Sequence, residues 1–347
     1  MRDIGRMAGV SQSTVSRVLN DAQTTVRVAD ETRARIVQAA RTLGYRPNPL
    51  ARGLRGAQTM LIGAVVSDIT DPFYGRAVEL LSVEAIARGY NLVLGHAHDR
   101  ADAALALTAI LETRHCDAIV LLGDIQDQPR LLADLQNSVV PVVALWQGSS
   151  SLAVPTVDVD NRRAIRLGLE HLVKLGHKRV AFASGPLLGS VRERHDEFIA
   201  FSKRHFGGSP KGYVQQTPNT YSGGETAFEN LVNLANPPTA IVASTDTLAI
   251  GMLHAAYSKG WRVPNDLSIV GFDDIALSSH TVPALTTIRM PMVEIATEGI
   301  QLAIKLAKEG RGQSAPHRVF RASLIIRQST APPRSSEDHR RSGSARA

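Results

Sequence analysis

Between Gln12 and Arg17 the chain reads Gln-Ser-Thr-Val-Ser-Arg, an amide, three hydroxyls and a guanidinium with no acidic group among them. Side chains of these types donate to phosphate oxygens and to base edges, the chemistry of nucleic-acid recognition. Three other constellations invite comparison. His96 and His98, followed by Asp99, have a metal-like i, i+2 spacing, but they come straight after the strand-like run NLVLG and read better as a solvated strand end. The run SGPLLGS has neither the glycine pattern of a nucleophile elbow nor that of a phosphate loop, and is read as a turn leading to Arg194. The pair Asp273-Asp274 in GFDD could do acid–base work, yet no nucleophile or base stands near it in the sequence. Binding chemistry is therefore expected, with no enzymatic activity, metal or cofactor.

The elements that would present the first constellation are short helices. Ile4, Met7, Ala8 and Val10 make one apolar set, and Val15, Val18 and Leu19 a second at helical spacing. Gly9 permits a sharp turn between them, and Ser11 can cap the second helix by accepting from the amides of Ser13 or Thr14. Helix, tight turn and capped helix outline a helix-turn-helix. A third helix, with Ile36, Val37, Ala40 and Leu43 on one face, starts near Asp30 as its cap and stops at Gly44. The stretch NPLARGLRGAQT that follows is basic and rich in Gly and Pro, and reads as a linker.

Charge agrees with this. From Met1 to Gln58 ten arginines oppose four acidic residues and there is no lysine, while the whole 347-residue chain carries +7. The basicity sits in the head and, to a lesser degree, in the tail after Pro333. An arginine-rich head on a nearly neutral body suits attraction to a phosphate backbone. The single Cys116 excludes an internal disulfide and any cysteine-cluster zinc site, and reads as a small buried apolar side chain in HCDAIVLL. The start, MRDIGRM, has no signal-like apolar core, and no segment approaches the roughly 20 apolar residues of a membrane span. A cytoplasmic, nucleoid-associated protein without membrane partners is expected.

From Met60 the texture changes. LIGAVV, NLVLG, AIVLL, PVVAL, RVAFAS, AIVAS and SIVGF are continuous apolar runs separated by helical patterns such as NRRAIRLGLEHLVKLGH. Such runs indicate parallel strands buried on both faces, hence a doubly wound α/β body, and seven of them indicate two similar lobes. The end, PPRSSEDHRRSGSARA, is disordered by composition.

At this level of detail the chain resembles the LacI/GalR family of bacterial transcription regulators. The resemblance is carried by AGVSQSTVSRVLN, VADETRARI, LGYRPNPLARGL, IGAVVSDITDPFY, DNRRAIRLGLEHLVKLGHKRVAFASGP, STDTLAIGML, IVGFDD and PALTTIRMP, in that order. It implies a small all-α helix-turn-helix head plus an α/β two-lobe body like a periplasmic binding protein, with doubly wound parallel sheets. The implied divisions are 1–46 for the DNA-binding head and 47–58 for a hinge helix. Residues 59–157 with 289–319 would form the first effector-binding lobe, 158–288 with 320–333 the second, and 334–347 a disordered tail. It also implies a homodimer reading a pseudopalindromic double-stranded operator as a repressor, with a sugar, sugar derivative or nucleobase modulating DNA affinity from the cleft. No apolar heptad follows Pro333, so a dimer that does not go on to a tetramer is expected.

Residue by residue, the resemblance places base contacts on Gln12, Ser13 and Arg17, and backbone contacts on Ser11, Thr14, Ser16, Asn20 and Tyr45. Leu54 matches the hinge leucine that wedges into the minor groove, next to Gly53 where a serine is common. Effector contacts fall on Asp71, Phe73, Tyr74, Trp146, Arg194, Tyr221, Asp246 and Asp273, with Thr245 where the family often has Asn. Aromatic faces for sugar C–H groups or a base, and an Arg with carboxylates for hydroxyls, form a coherent set. The alternative is the solute-binding protein of an importer, which would share the body but not the basic head, and would need a signal peptide.

Overall fold

The computed structural model describes residues 1–19, 28–45, 58–123, 134–135, 137–148, 154–310 and 315–334. Asn20, Gly53 and Leu54, most of the hinge stretch and the tail beyond Arg334 lie outside these residues. The chain divides into two units, Met1–Met60 and Leu61–Ala347.

In the head, α1 (Arg2–Ala8), α2 (Gln12–Leu19) and α3 (Asp30–Thr42) close over Ile4, Ala8, Val15, Val18, Ile36, Ala39 and Ala40. Gly9 ends α1 at φ 66°, a left-handed conformation that glycine adopts without a Cβ penalty. Ser11 Oγ then accepts the Thr14 amide at 3.2 Å, as the capping pattern predicts. Arg35 reaches back from α3 and donates to the Ala8 carbonyl at 2.8 Å, satisfying an orphan acceptor at the end of α1. Two expectations need correction. Asp30 is the first helical residue and Ala29 the cap, without a side-chain bond, so Asp30 acts on the positive end of the helix dipole instead. Met7 and Leu43, both expected on core-facing sides, are 53% and 43% exposed and lie outside the core.

The second unit contains two six-stranded sheets. The first, in lobe 1, has the order β11-β5-β4-β3-β1-β2 and is built from β1 (Leu61–Val66), β2 (Asn91–His96), β3 (Ala118–Leu122), β4 (Val142–Leu145), β5 (Thr156–Val159) and β11 (His317–Phe320). The second, in lobe 2, has the order β12-β10-β9-β8-β6-β7, from β6 (Val180–Ser184), β7 (Val214–Gln216), β8 (Ala240–Ala243), β9 (Ser268–Asp273), β10 (Thr286–Arg289) and β12 (Ser323–Ile325). All these pairings are parallel except β12 on β10. The chain passes between the lobes after β5, after β10 and after β11.

Helices α4 (Pro72–Ala87), α5 (Ala101–Thr113) and α10 (Met292–Glu309) belong with the first sheet. With the second go α6 (Asn161–Lys174), α7 (Gly189–Phe206), α8 (Tyr221–Val232) and α9 (Asp246–Ser258). Strands β1, β3, β6 and β8 are apolar and buried almost throughout, because helices cover both faces. Cys116 is buried in the lobe 1 core, and burial pushes its thiol up to about 11, leaving it an inert packing group.

Candidate functional site

Parallel sheets expose a crevice at the carboxyl ends of their strands, and here the ends of two sheets meet. On lobe 1, Asp71 leaves the β1 end and caps α4, its Oδ1 accepting the Phe73 amide at 2.9 Å with Pro72 at the first helical position. That cap fixes the start of α4 and aims Phe73 and Tyr74. Phe73 stands edge-on to Tyr74, with centroids 5.1 Å apart, and to Trp146 at 5.4 Å. Trp146, at the end of β4, is 3% exposed, adopts a left-handed φ of 54°, and its buried Nε1 has no hydrogen-bond partner. An orphan buried donor of this kind fits an acceptor on a ligand.

On lobe 2, Arg194 rises from α7 and is 5% exposed. Its Nε donates to Asn161 Oδ1 at 3.0 Å, its Nη1 to the Ser244 carbonyl at 2.7 Å, and its guanidinium lies 3.6 Å over the Phe272 ring. Asp273, the last residue of β9, is buried at φ 118°. Burial drives its carboxyl well above the ordinary range; Arg194 and the Asp246 amide pull it down, while Asp246 and Asp71 push it up. Asp274 lines the same crevice but is engaged by Arg289 and Arg327, both at 2.6 Å.

The remaining sequence candidates are placed differently. Asp246 is fully buried beneath the cleft floor, its Oδ2 accepting from Ile275 N at 3.0 Å and Ser278 Oγ at 2.5 Å, and its Oδ1 from Thr287 Oγ1 at 2.6 Å. Burial pushes this carboxyl up to about 7 against those bonds. It pins the turn at Ala276–Ser279 and β10 to α9. Tyr221 opens α8 with 41% exposure, away from the aromatic trio. His96 and His98 stack at 3.8 Å beside Asp68, and among the described residues no three His, Cys, Asp or Glu side chains converge as metal ligands would.

A cavity of about 890 Å³ opens between the lobes, lined by Pro72, Phe73 and Arg76 on one side and Asp273, Ile275 and Arg289 on the other; of the sequence candidates it takes in Phe73 and Asp273, while Asp71, Tyr74, Trp146, Arg194, Tyr221 and Asp246 lie outside its lining. The sequence did not single out Asn161, Asn219 or Ser244, which hold Arg194 and Asp71, nor Ser184 and Thr217, whose buried hydroxyls have no partner at the ends of β6 and β7. Their common signal is a small polar residue at or just past the end of a strand.

In the head, Ser11 just before α2 and Gln12 and Ser13 at its start are exposed, with Thr14, Ser16 and Arg17 partly so, while Tyr45 packs on the head core.

Residues 1–48 match the family model "Bacterial regulatory proteins, lacI family" and 169–330 the "Periplasmic binding protein-like domain". The catabolite control protein A of Priestia megaterium is 33% identical over 331 residues, covering 92% of this chain and 98% of that protein. The HTH-type transcriptional repressor CytR of Escherichia coli K12 is 32% identical over 335 residues, covering 95% and 96%. The Lac repressor dimer bound to operator and the anti-inducer ONPF superposes with a TM-score of 0.84 at 27% identity, over 95% of this chain and 98% of that one. A cellobiose complex of the regulator CelR gives 0.71 at 26%, over 94% and 98%. No helix of the described residues is long and apolar enough to cross a membrane. An importer's solute-binding protein would account for the body alone, whereas these likenesses run from the first helix to the last strands: the chain belongs to the LacI family and is a transcription regulator rather than an enzyme.

Proposed function

We propose that this regulator is a repressor acting as a homodimer on a pseudopalindromic operator, with a small hydroxylated or heterocyclic effector in the interlobe cleft modulating DNA affinity. The observation that carries the effector half is the meeting of an aromatic pair, Phe73 and Trp146, with a buried Arg194 and Asp273 at the facing strand ends. Lac repressor with operator and ONPF, and CelR with cellobiose, support both halves by similarity. Phe73, Tyr74, Trp146, Arg194, Asp273 and Asp71 would contact the effector, Tyr221 would flank it, and Asp246 would support the floor from below.

In the head, Gln12, Ser13 and Arg17 would read bases. Ser11, Thr14, Ser16, Asn20 and Tyr45 would hold phosphates, and Leu54 in the 47–58 hinge would enter the minor groove. The lobes would divide as 59–157 with 289–319 and 158–288 with 320–333. Such a protein works in the cytoplasm, on the nucleoid.

A thermal-shift screen of the purified chain against sugars, polyols and nucleobases tests the cleft, since ligand at 100 times its Kd adds about 2.7 kcal/mol. A hit whose shift survives Arg194→Ala would overturn the assignment. For the head, operator selection with Arg17→Ala should lose about 1–3 kcal/mol of discrimination at one base pair per half-site. Unchanged base preference would refute that role.

A further inference from the structure

Three side chains make a continuous hydrogen-bonded path from one lobe to the other. Thr245 Oγ1, on the residue capping α9, donates to Asn219 Oδ1 at 2.6 Å. Asn219 Nδ2 donates across the cleft to Asp71 Oδ2 at 2.9 Å. The other oxygen of Asp71 accepts the Phe73 amide at 2.9 Å. The orientation of the Asn219 amide follows from its partners, because a flipped amide would set its oxygen against the Asp71 carboxylate, two acceptors with no proton between them. Asn219 is also held from behind. A Cβ at Gly185 would lie 3.1 Å from the Asn219 Cβ, a tight contact that would press on that loop.

We propose that Asn219 is a positioning residue that latches the two lobes together in the ligand-free chain and aims the Asp71 carboxylate. The path joins the N-terminal caps of α4 and α9, with Asp71 and Asn219 148 positions apart and in opposite lobes. Its middle link is a neutral amide bonded to a carboxylate, stronger than an ordinary neutral pair, and Asp71 is largely buried so that water competes weakly. Breaking that one bond leaves each cap intact, since Thr245 still accepts the Leu248 amide and Asp71 the Phe73 amide. Opening of the cleft is thereby separated from unfolding of either helix. An effector that enters between Phe73 and Asp273 gains access by releasing this link, a consequence that rests on the cleft being the effector site.

The test uses the full chain without ligand, with a donor and acceptor dye at Ile110→Cys on α5 and Tyr257→Cys on α9, both exposed. Labelled chain is diluted into unlabelled chain, and Cys116 stays buried. Asn219→Asp sets two carboxylates face to face and should raise the open population about tenfold or more. The reciprocal pair Asp71→Asn with Asn219→Asp should restore the wild-type transfer efficiency, because residue 71 still caps Phe73 with its oxygen while its amide donates to residue 219. Asn219→Ala should open the cleft to an intermediate extent and serves if Asn219→Asp does not fold. Transfer unchanged in Asn219→Ala, or a double variant as open as Asn219→Asp alone, would overturn the latch. Because no ligand is present, that failure is separate from a screen without hits, which would remove the effector reading and leave the latch standing.

Discussion

Lobe 1 meets the cleft with rings, Phe73 edge-on to Tyr74 and Trp146. Lobe 2 meets it with charge, Arg194 over Phe272 beside Asp273, and Asp246 below. The two sheets have the same number of strands, so the difference lies in what the strand ends carry. Rings pack without partners and need only shape. Buried charges must be satisfied, and lobe 2 accordingly surrounds its own with Asn161, the Ser244 carbonyl, Ser278 and Thr287. Lobe 2 is thus built as the preorganised half, and lobe 1 supplies an apolar surface that closes onto it.

Arg194 on lobe 2 and Arg76 on lobe 1 should behave oppositely if this contrast is right. Arg194→Ala strands the Asn161 oxygen and the Ser244 carbonyl and leaves Asp273 without its cation. A loss of about 3–5 kcal/mol in chemical denaturation is expected, together with loss of any effector response. A loss below about 1 kcal/mol would mean that lobe 2 is not organised around this group. Lobe 2 should also be the source of acid–base sensitivity. Asp246 goes from an ordinary carboxyl near 3.8 when unfolded to about 7 when folded. The native chain therefore binds the extra proton, so the contribution of this group to stability is full below about pH 4 and is lost as pH rises to about 7. A rise of that size is worth about 4 kcal/mol. Asp246→Asn, whose amide can donate to Thr287, should make this profile shallower and leave the part that Asp273 contributes; an equally steep profile in the variant would assign the effect elsewhere.

Lobe 1 substitutions should touch affinity more than stability. Trp146→Phe keeps the ring against Phe73 and deletes an unpartnered buried N–H, so thermal stability should hold or rise slightly while effector affinity drops roughly three- to tenfold. Calorimetry of both quantities on one variant checks it, and a drop in stability without a drop in affinity would make Trp146 a packing residue. The smallest effect belongs to Arg76, the lobe 1 counterpart of Arg194. It pairs with Glu79 at 2.6 Å with both side chains more than half exposed. Arg76→Ala should change stability by under about 0.5 kcal/mol.

The apolar runs were legible because an unbroken stretch of five or so such residues is mostly covered from both sides, and all seven form strands; NLVLG departs from the expected burial, forming the edge strand β2 with Asn91 and Leu94 exposed. The strands TVDV, VQQ, TTIR, HRVF and SLI were not, being short, polar or at a sheet edge, where neighbours rather than residues decide. The cap expected at Asp30 sits one residue earlier, at Ala29, because a helix boundary is visible in sequence only to within a residue or two. Asp246 shows a different limit. Its sequence context says helix start at a strand end, but whether the carboxyl faces the cleft or the sheet beneath it depends on Ser278 and Thr287, 32 and 41 residues away. Asn219 was invisible for the same reason, since its partner lies in the other lobe.

Arg35 bears on a property of the head that charge counting alone misjudges. Its guanidinium is bonded to the Ala8 carbonyl, where it also offsets the negative end of the α1 dipole. A cation already bonded to the backbone of the head neutralises fewer nucleic-acid phosphates and so displaces fewer condensed counterions. The steepness with which ionic strength weakens DNA binding, close to 0.9 per phosphate neutralised on a double-logarithmic plot, will therefore report fewer contacts than the ten arginines of the first 58 residues imply. Replacing Arg35 should lower the stability of the head and leave that slope almost where it was.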